Sequence, residues 1–223
     1  MAFKRWAPDG PVPDRWLDCP PNGNHLILSK FMPLKTPLNS NFDHQIPRDL
    51  RYHPREIFSL AKNNKVKIGL WIDLTNTYRY YRKEDIRQEG CEYVKIKCRG
   101  HGQAPTPRDT QFFISVVHEH IVKAPFECIA VHCTHGFNRT GFLITAFLVE
   151  RLKFDVGTAL QIFSESRPPG IYKDDYIKEL FKRYGRIEDA PPAPSLPEWC
   201  EETVHCRKRK RERNIERTKF VKQ

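Results

Sequence analysis

One cysteine and one arginine, six residues apart, stand where they could carry out nucleophilic chemistry on phosphorus. The segment VHCTHGFNRTG places Cys133 after one apolar run and Arg139 before another, with Gly136 between them. If the backbone N–H groups of this loop point inward, they form an anion-binding concavity backed by the positive N-terminus of the next helix. The same field favours thiolate over thiol, so we expect Cys133 to be a nucleophile at neutral pH.

Arg139 would complete such a site, because a guanidinium presents a planar fork of donors that can bind two phosphoryl oxygens at once. Attack of the Cys133 sulfur on phosphorus would give a phosphocysteine, which water then hydrolyses. Among the seven cysteines, only Cys133 has an arginine six residues later. The alternative is a buried structural thiol with an incidental arginine, and the glycine-containing loop favours the nucleophile.

The elements around this loop are predicted to form an α/β domain with a central, mainly parallel sheet flanked by helices. In such sheets ligands bind beyond the carboxyl ends of the strands, which is where the loop after Cys133 should lie. Short β-rich apolar runs predict strands at residues 66–74, 93–98 and 128–133. Amphipathic or apolar segments with capping residues predict helices from Pro107 to about 124 and over 140–152, 155–166 and 174–184.

Composition divides the chain into four expected parts. We expect a flexible N-terminus over residues 1–12, a catalytic domain over 13–189, a proline-rich linker over 190–206 and a basic tail over 207–223. The tail has nine Lys or Arg against two Glu, which is +7 of the net charge of +11, so the domain itself is only mildly basic. Such a tail fits a nuclear-localisation signal, an RNA-binding arm or a solvated terminus.

Composition also favours a soluble intracellular protein. The first residues contain no apolar stretch long enough for a secretory signal, and the longest apolar run, residues 141–149, is too short to span a membrane. Irregularly spaced cysteines, odd in number, do not resemble a disulfide framework, so reduced thiols are expected. Cys200, His205 and Cys206 offer too few ligands for zinc, and neither a metal nor a cofactor is predicted.

The loop HCTHGFNRTG resembles the phosphate-binding loop of the cysteine-dependent phosphatases. Together with GLWIDLTNTYRYY, RPPGIYKDDYI, PDRWLDCP and EDAPPAPSLPEWC, it makes the chain resemble the RNA 5′-triphosphatase domain of metazoan mRNA capping enzymes over roughly residues 13–200. The resemblance implies a dual-specificity-phosphatase-like fold, metal-independent removal of the γ-phosphate from nascent transcripts, and a nuclear location. It makes triphosphate-ended RNA the expected substrate. The RNA polymerase II C-terminal tail and a guanylyltransferase domain or chain are candidate partners.

The resemblance also assigns roles to single residues. Cys133 matches the phosphocysteine nucleophile and Arg139 the arginine that binds phosphate, while Thr140 would donate to the departing sulfur and His132 would order the loop. The phosphate-binding residues would be Thr134, His135, Gly136, Phe137, Asn138 and Arg139. Four basic residues could line a groove for the triphosphate and the RNA backbone, namely Arg79, Arg82, Arg167 and Lys173. Arg79 and Lys173 are preferred because their segments match the family. The alternative is that these charges form solvated faces, as such charges usually do.

Residues 98–107 depart from the family of protein-directed phosphatases, because they contain no Asp or Glu where those enzymes carry a general acid. A leaving tyrosine, with a pKa of about 10, needs a proton donor, whereas a leaving β-phosphate, with a second pKa of about 6, does not. The missing acid therefore favours a phosphoanhydride substrate. His101 is a candidate donor, and Asp73 is a candidate acid or loop-orienting residue; an exposed loop histidine and a turn-starting aspartate are their structural alternatives.

The guanylyltransferase motif Lys-x-Asp-Gly does not occur. The chain is therefore expected to be the N-terminal domain of a longer enzyme or a stand-alone relative of the atypical RNA phosphatases, and the capping-type linker favours the first. Three functions remain open at this point. They are an RNA 5′-triphosphatase, a protein phosphatase, and a catalytically silent module that binds RNA ends or phosphorylated polymerase tails.

Overall fold

A four-stranded parallel sheet forms the centre of the molecule in the computed structural model, which describes residues 10–100 and 102–200. Its strands run in the spatial order β1-β4-β2-β3, and every pairing is parallel. The predicted α/β class with a mainly parallel sheet is thereby confirmed. The strands are β1 (Phe31–Leu34), β2 (Ile68–Asp73), β3 (Glu92–Lys95) and β4 (Cys128–His132).

Helices cover both faces of this sheet, as parallel strands require. Every residue of β2 and β4 is buried, and two separate apolar clusters lie on the two faces. One cluster includes residues of α3 to α6, and the other includes residues of α1 and α2 together with Trp16. The helices are α1 (Pro54–Asn63), α2 (Lys83–Arg87), α3 (Pro107–Lys123), α4 (Asn138–Leu152), α5 (Val156–Ser166) and α6 (Asp174–Tyr184).

The four long helices lie where the sequence predicts them, and α4 begins two residues earlier than expected. Thr106 accepts a hydrogen bond from the Asp109 backbone N–H, and Asp155 accepts one from Thr158, so both act as the predicted N-caps. Strand β1 and helices α1 and α2 are not among the predicted elements. Strand β1 has only four residues and contains Pro33, which is unusual inside a strand.

The proline-rich segment after α6 stays on the surface of the domain. A short 3-10 helix, Ile187–Asp189, follows α6, and Ala190 and Ala193 then pack against the larger apolar cluster. Further along, Cys200 is fully buried. The expected linker residues 201–206, the basic tail 207–223, residues 1–9 of the expected flexible N-terminus, and His101 lie outside the described residues.

Candidate active site

Residues 133–139, here called the phosphate loop, run from the end of β4 into the first turn of α4 at the carboxyl edge of the sheet. Gly136 has a φ of +76°, a left-handed conformation that other residues rarely adopt. A β-carbon at this position would lie 2.2 Å from the backbone oxygen of Leu34, at the end of β1. The glycine is therefore required both by the turn of the loop and by the closeness of the neighbouring strand.

The Cys133 sulfur is buried at the base of this loop and accepts a hydrogen bond from the Gly136 backbone N–H at 3.2 Å. Burial by itself raises the pKa of this thiol. The Arg139 guanidinium, the hydroxyl and N–H of Thr140 and the Gly136 N–H outweigh burial and lower the pKa below its ordinary value. The Thr140 hydroxyl is buried beside the sulfur and has no hydrogen-bond partner within ordinary distance among the described residues, so it remains free to donate. This environment favours the thiolate form.

Arg139 joins three loops at the mouth of the site. Its Nη1 donates to the backbone oxygens of Leu74 at 3.1 Å and Cys98 at 3.0 Å, and its Nη2 donates to the Thr134 hydroxyl at 3.0 Å. The described residues provide no acceptor for the Nε–H or for the second Nη2–H. Those two donors form one edge of the guanidinium fork, which suits two oxygens of a phosphoryl group.

Contacts from outside the phosphate loop fix its backbone. The Asn138 side-chain oxygen accepts from the backbone N–H groups of Tyr172 and Lys173, both at 3.1 Å. Arg167, which is almost fully buried, donates to the His135 backbone oxygen at 2.9 Å. The His135 ring bonds to the Asp14 backbone oxygen at 2.8 Å, and burial lowers the pKa of this ring to about 4. The loop is thus held from both sides.

A buried polar network lies beneath the loop and includes Asp73 and His132, which pair across β2 and β4. One Asp73 oxygen accepts from Lys95 at 2.8 Å and from Tyr93 at 2.9 Å, and the other accepts from the backbone N–H and the hydroxyl of Thr75 at 2.8 Å. Burial alone would raise the Asp73 pKa, but the Lys95 ammonium and the hydrogen bonds from Lys95 and Thr75 lower it. The carboxylate therefore orders the loop after β2.

His132 connects this network to the phosphate loop. Its Nδ1 lies 3.1 Å from the Cys133 backbone oxygen and its Nε2 lies 2.6 Å from the Tyr81 hydroxyl. Complete burial lowers the His132 pKa, which favours a neutral ring at neutral pH. A neutral imidazole has one donor and one acceptor nitrogen, so these two contacts can use both.

An open cleft of about 780 Å³ leads to the Cys133 sulfur. Its walls come from the segment before Trp16, the loop after β2, residues 99–100, the phosphate loop and the start of α6. Among the described residues that line it, Asp14 is the one carboxylate. Five are cationic, namely Arg15, Arg79, Arg99, Arg139 and Lys173. Such a wall suits a polyanion that carries charge beyond the phosphoryl group at the sulfur.

The structure brings most of the predicted site residues together, and the exceptions have physical reasons. Arg79 and Lys173 line the cleft, whereas Asp73 lies behind it, turned into the buried network. Arg167 lies beneath the phosphate loop, where it supports a backbone oxygen, and Arg82 is not among the lining residues. His101 lies outside the described residues. Sequence reasoning missed Arg15 and Arg99; Arg99 follows a basic stretch, whereas Arg15 lies between two aspartates and gives no such signal.

Two further kinds of feature, a metal-type cluster and a membrane-spanning helix, are absent from the described residues. The described part of the chain contains no group of three or more His, Cys, Asp or Glu side chains arranged to bind a metal ion. None of the helices in residues 10–100 and 102–200 combines the length and the apolar character needed to cross a bilayer.

The chain matches one protein family and is similar in sequence to two kinds of enzyme. The family model for the catalytic domain of dual specificity phosphatases matches residues 53–185. The chain is 52% identical over 189 residues to an mRNA-capping enzyme of Danio rerio, covering 85% of this chain and 31% of the relative. It is 35% identical over 184 residues to an RNA/RNP complex-1-interacting phosphatase homolog of Caenorhabditis elegans, covering 78% of this chain and 79% of the relative.

The chain thus spans about a third of the length of the capping enzymes it matches. Its fold is similar to the crystal structure of Tk-PTP in the active form, with a TM-score of 0.55 at 16% identity over 70% of this chain and 91% of the other. The family match covers more than half of the chain and includes the whole phosphate loop. The chain belongs to the dual specificity phosphatase family.

Proposed function

We propose that this protein is an RNA 5′-triphosphatase that removes the γ-phosphate from triphosphate-ended RNA through a phosphocysteine on Cys133. The observation that carries the proposal is the Cys133 sulfur, hydrogen-bonded by the Gly136 N–H, at the base of a cleft whose described walls hold five cationic side chains. The absence of an acid from residues 98–107 and the similarity to mRNA-capping enzymes support it.

In the proposed reaction the Cys133 thiolate attacks the γ-phosphorus in line with the bond to the β-phosphate. That bond breaks, and its electron pair leaves with the β-phosphate oxygen. Arg139 binds the transferring group through its free fork edge, and the loop N–H groups bind the remaining oxygens. Water then attacks the phosphocysteine, which releases inorganic phosphate and returns the sulfur as thiolate, with Thr140 donating to it.

A leaving β-phosphate explains why this site functions without an acid on a separate loop. General acid catalysis contributes about 10²–10⁴-fold when the leaving group is a poor one, such as a tyrosine or an alkoxide. A diphosphate-ended RNA is already a stable anion, so little is lost when no proton is delivered. In this proposal Asp73 orients the loop after β2 and does not supply the proton.

The test is a side-by-side assay of the purified chain in EDTA with triphosphate-ended RNA and a phosphotyrosine peptide. We expect release of one phosphate per RNA end, and kcat/KM for RNA at least about 10²-fold above that for the peptide, the size of a missing acid's contribution. Preference for the peptide would reject the RNA substrate and favour a protein phosphatase. Stable phosphate binding without turnover of either substrate would favour a silent binding module.

Lys173→Gln should weaken RNA binding more than chemistry, because the ammonium lines the cleft at the start of α6 without touching the sulfur. We expect KM for triphosphate-ended RNA to rise, with kcat nearly unchanged. The slope of log KM against the logarithm of the salt concentration should decrease by about one, because one ionic contact is lost. Arg79, whose Nη1 is fixed on the Pro11 backbone oxygen at 2.7 Å, should behave alike when replaced by Gln.

Lys178→Gln is the matched control for the lysine, because Lys178 lies on α6 in an exposed ion pair with Asp174 and outside the cleft. Its kinetics should equal those of the unaltered chain at every salt concentration. An unchanged KM in Lys173→Gln would remove this lysine from the proposed RNA contacts.

The proposal extends to partners and location. Relatives named mRNA-capping enzyme are about three times as long as the matched region, so we propose a guanylyltransferase, in the same natural chain or a separate one, as a partner. The RNA polymerase II C-terminal tail as a second partner and the nucleus as the location follow from the same resemblance. Binding of phosphorylated against unphosphorylated tail peptide, and imaging of a tagged chain, would test them.

A further inference from the structure

Residues 190–200 form a strap that leads from the end of α6 back to the phosphate loop. The dual specificity phosphatase model ends at residue 185, so this strap lies outside the matched catalytic domain. Its first part packs on the larger apolar cluster through Ala190 and Ala193. Its last part reaches a small separate cluster, in which Trp199 packs against the buried residues Cys19, Phe137, Tyr172 and Cys200.

Trp199 contacts the phosphate loop directly. The centroid of its ring lies 5.5 Å from that of His135 and 5.4 Å from that of Phe137, and Tyr172 completes the cluster at 6.1 Å. His135 and Phe137 are the residues on either side of Gly136. The Gly136 N–H is the donor to the Cys133 sulfur. One side chain of the strap therefore packs on both neighbours of the amide that faces the nucleophile.

The ring of Phe137, the residue just before α4, is held in place by side-chain packing. Phe137 precedes α4 with φ −113° and ψ −80°, outside the helical region, and it makes no side-chain capping hydrogen bond. Its ring is held by the Arg167 guanidinium at 4.4 Å, by Tyr172 and by Trp199. Trp199 alone among these three comes from outside the matched domain.

We propose that Trp199 is a positioning residue for the phosphate loop, holding the rings of His135 and Phe137 so that the Gly136 N–H stays directed at the Cys133 sulfur. The proposal rests on the proposed function in one respect, the role of Cys133 as nucleophile. The positioning role would place the C-terminal boundary of the catalytic domain at residue 200 instead of residue 189. A catalytic unit cut at the end of the family match would lack this contact.

The test measures alkylation of Cys133 by iodoacetamide as a function of pH, read by mass spectrometry, in Trp199→Ala, Trp199→Leu and Trp199→Phe. Loss of the ring should weaken the Gly136 hydrogen bond and raise the apparent pKa of Cys133. At pH values below the apparent pKa of the unaltered chain, we expect alkylation to slow about threefold to tenfold in Trp199→Ala, equivalent to a shift of about half to one pKa unit. Trp199→Phe should restore most of the rate.

None of these variants replaces another group that faces Cys133, although His135 and Tyr172 lose their ring contact with Trp199 together with the loop. Leu196→Ala is the matched control, since Leu196 lies on the same strap, is 44% exposed and is absent from the cluster around Trp199. The charged and titratable groups facing the sulfur from the surrounding elements are Arg139, Arg167, His132, His135, Cys19, Cys98, Tyr172 and Tyr176.

A Trp199→Ala profile that superimposes on that of the unaltered chain would overturn the proposal, as would an equal shift in Leu196→Ala. If Trp199→Ala does not fold, judged by its thermal unfolding midpoint, Trp199→Leu decides, because it retains apolar bulk without the ring contacts. A chain that alkylates as expected but never releases phosphate from RNA would remove the proposed function and leave the positioning role intact.

Discussion

Replacement of Cys133 by serine is expected to abolish turnover of triphosphate-ended RNA, with kcat reduced about 10⁴-fold or more, as is usual when a covalent nucleophile is lost. The hydroxyl of serine stays protonated near neutral pH, and the Arg139 and Gly136 donors that stabilise a thiolate cannot ionise it. Binding should survive, because the loop N–H groups and the guanidinium remain. Phosphate release and RNA binding, measured on one preparation, separate the two effects.

Cys91→Ser is the matched control for this substitution. Cys91 is also buried, but it lies away from the cleft, and burial raises the pKa of its thiol to about 12. We expect normal kinetics from Cys91→Ser, and iodoacetamide should modify the unaltered chain first at Cys133. As the pH is raised, the rate of Cys133 alkylation should reach its plateau below pH 9, since the pKa of this thiol is lowered. Full activity in Cys133→Ser would reject the phosphocysteine mechanism.

Arg139→Lys is expected to reduce kcat/KM by about 10²–10³-fold, the range found when a preorganised donor to a transition-state oxyanion is removed. The guanidinium donates to Leu74, Cys98 and Thr134 while leaving one edge of its fork for phosphate. A lysine keeps the charge, but its three donors on one nitrogen cannot serve those acceptors and two phosphoryl oxygens at once. Steady-state kinetics with triphosphate-ended RNA measure the loss.

Arg151→Lys is the matched control. Arg151 lies at the other end of α4 and is exposed to solvent, so its replacement by lysine should leave kcat/KM unchanged. Both substitutions keep the positive charge. A difference in activity between the two variants therefore measures the effect of the guanidinium geometry and not that of the charge. Retention of more than about a tenth of the activity in Arg139→Lys would mean that a point charge suffices at this position. The proposed bidentate contact would then be wrong.

The fold and the centre of the candidate site could be predicted because the signals were local. Gly136 marks a left-handed turn, the apolar runs before and after it mark a buried strand and a helix, and the position of Cys133 follows from the rule for parallel sheets. Thr106 with Pro107, and Asp155, predicted the starts of α3 and α5 in the same way. Each of these signals lies within a few residues of the feature it predicts.

The remainder depends on contacts between distant segments, which spacing along the chain cannot reveal. Arg167 reads as a surface charge in the sequence, yet it is buried against the His135 backbone, 32 residues away. Asp73 reads equally well as an acid or as a turn residue, and Lys95 and Tyr93 from the neighbouring strand decide its surroundings. The proline-rich segment reads as a linker because composition cannot show that Trp199 docks beside the loop.

The two ends of the described chain converge on the same side of the molecule. Gly10 lies next to the Arg79 guanidinium in the wall of the cleft, and Trp199 lies against the phosphate loop. Both ends of the described part of the chain therefore lie beside the reaction centre. Kinetic constants for a long polyanion are for this reason best compared between chains that carry identical terminal extensions.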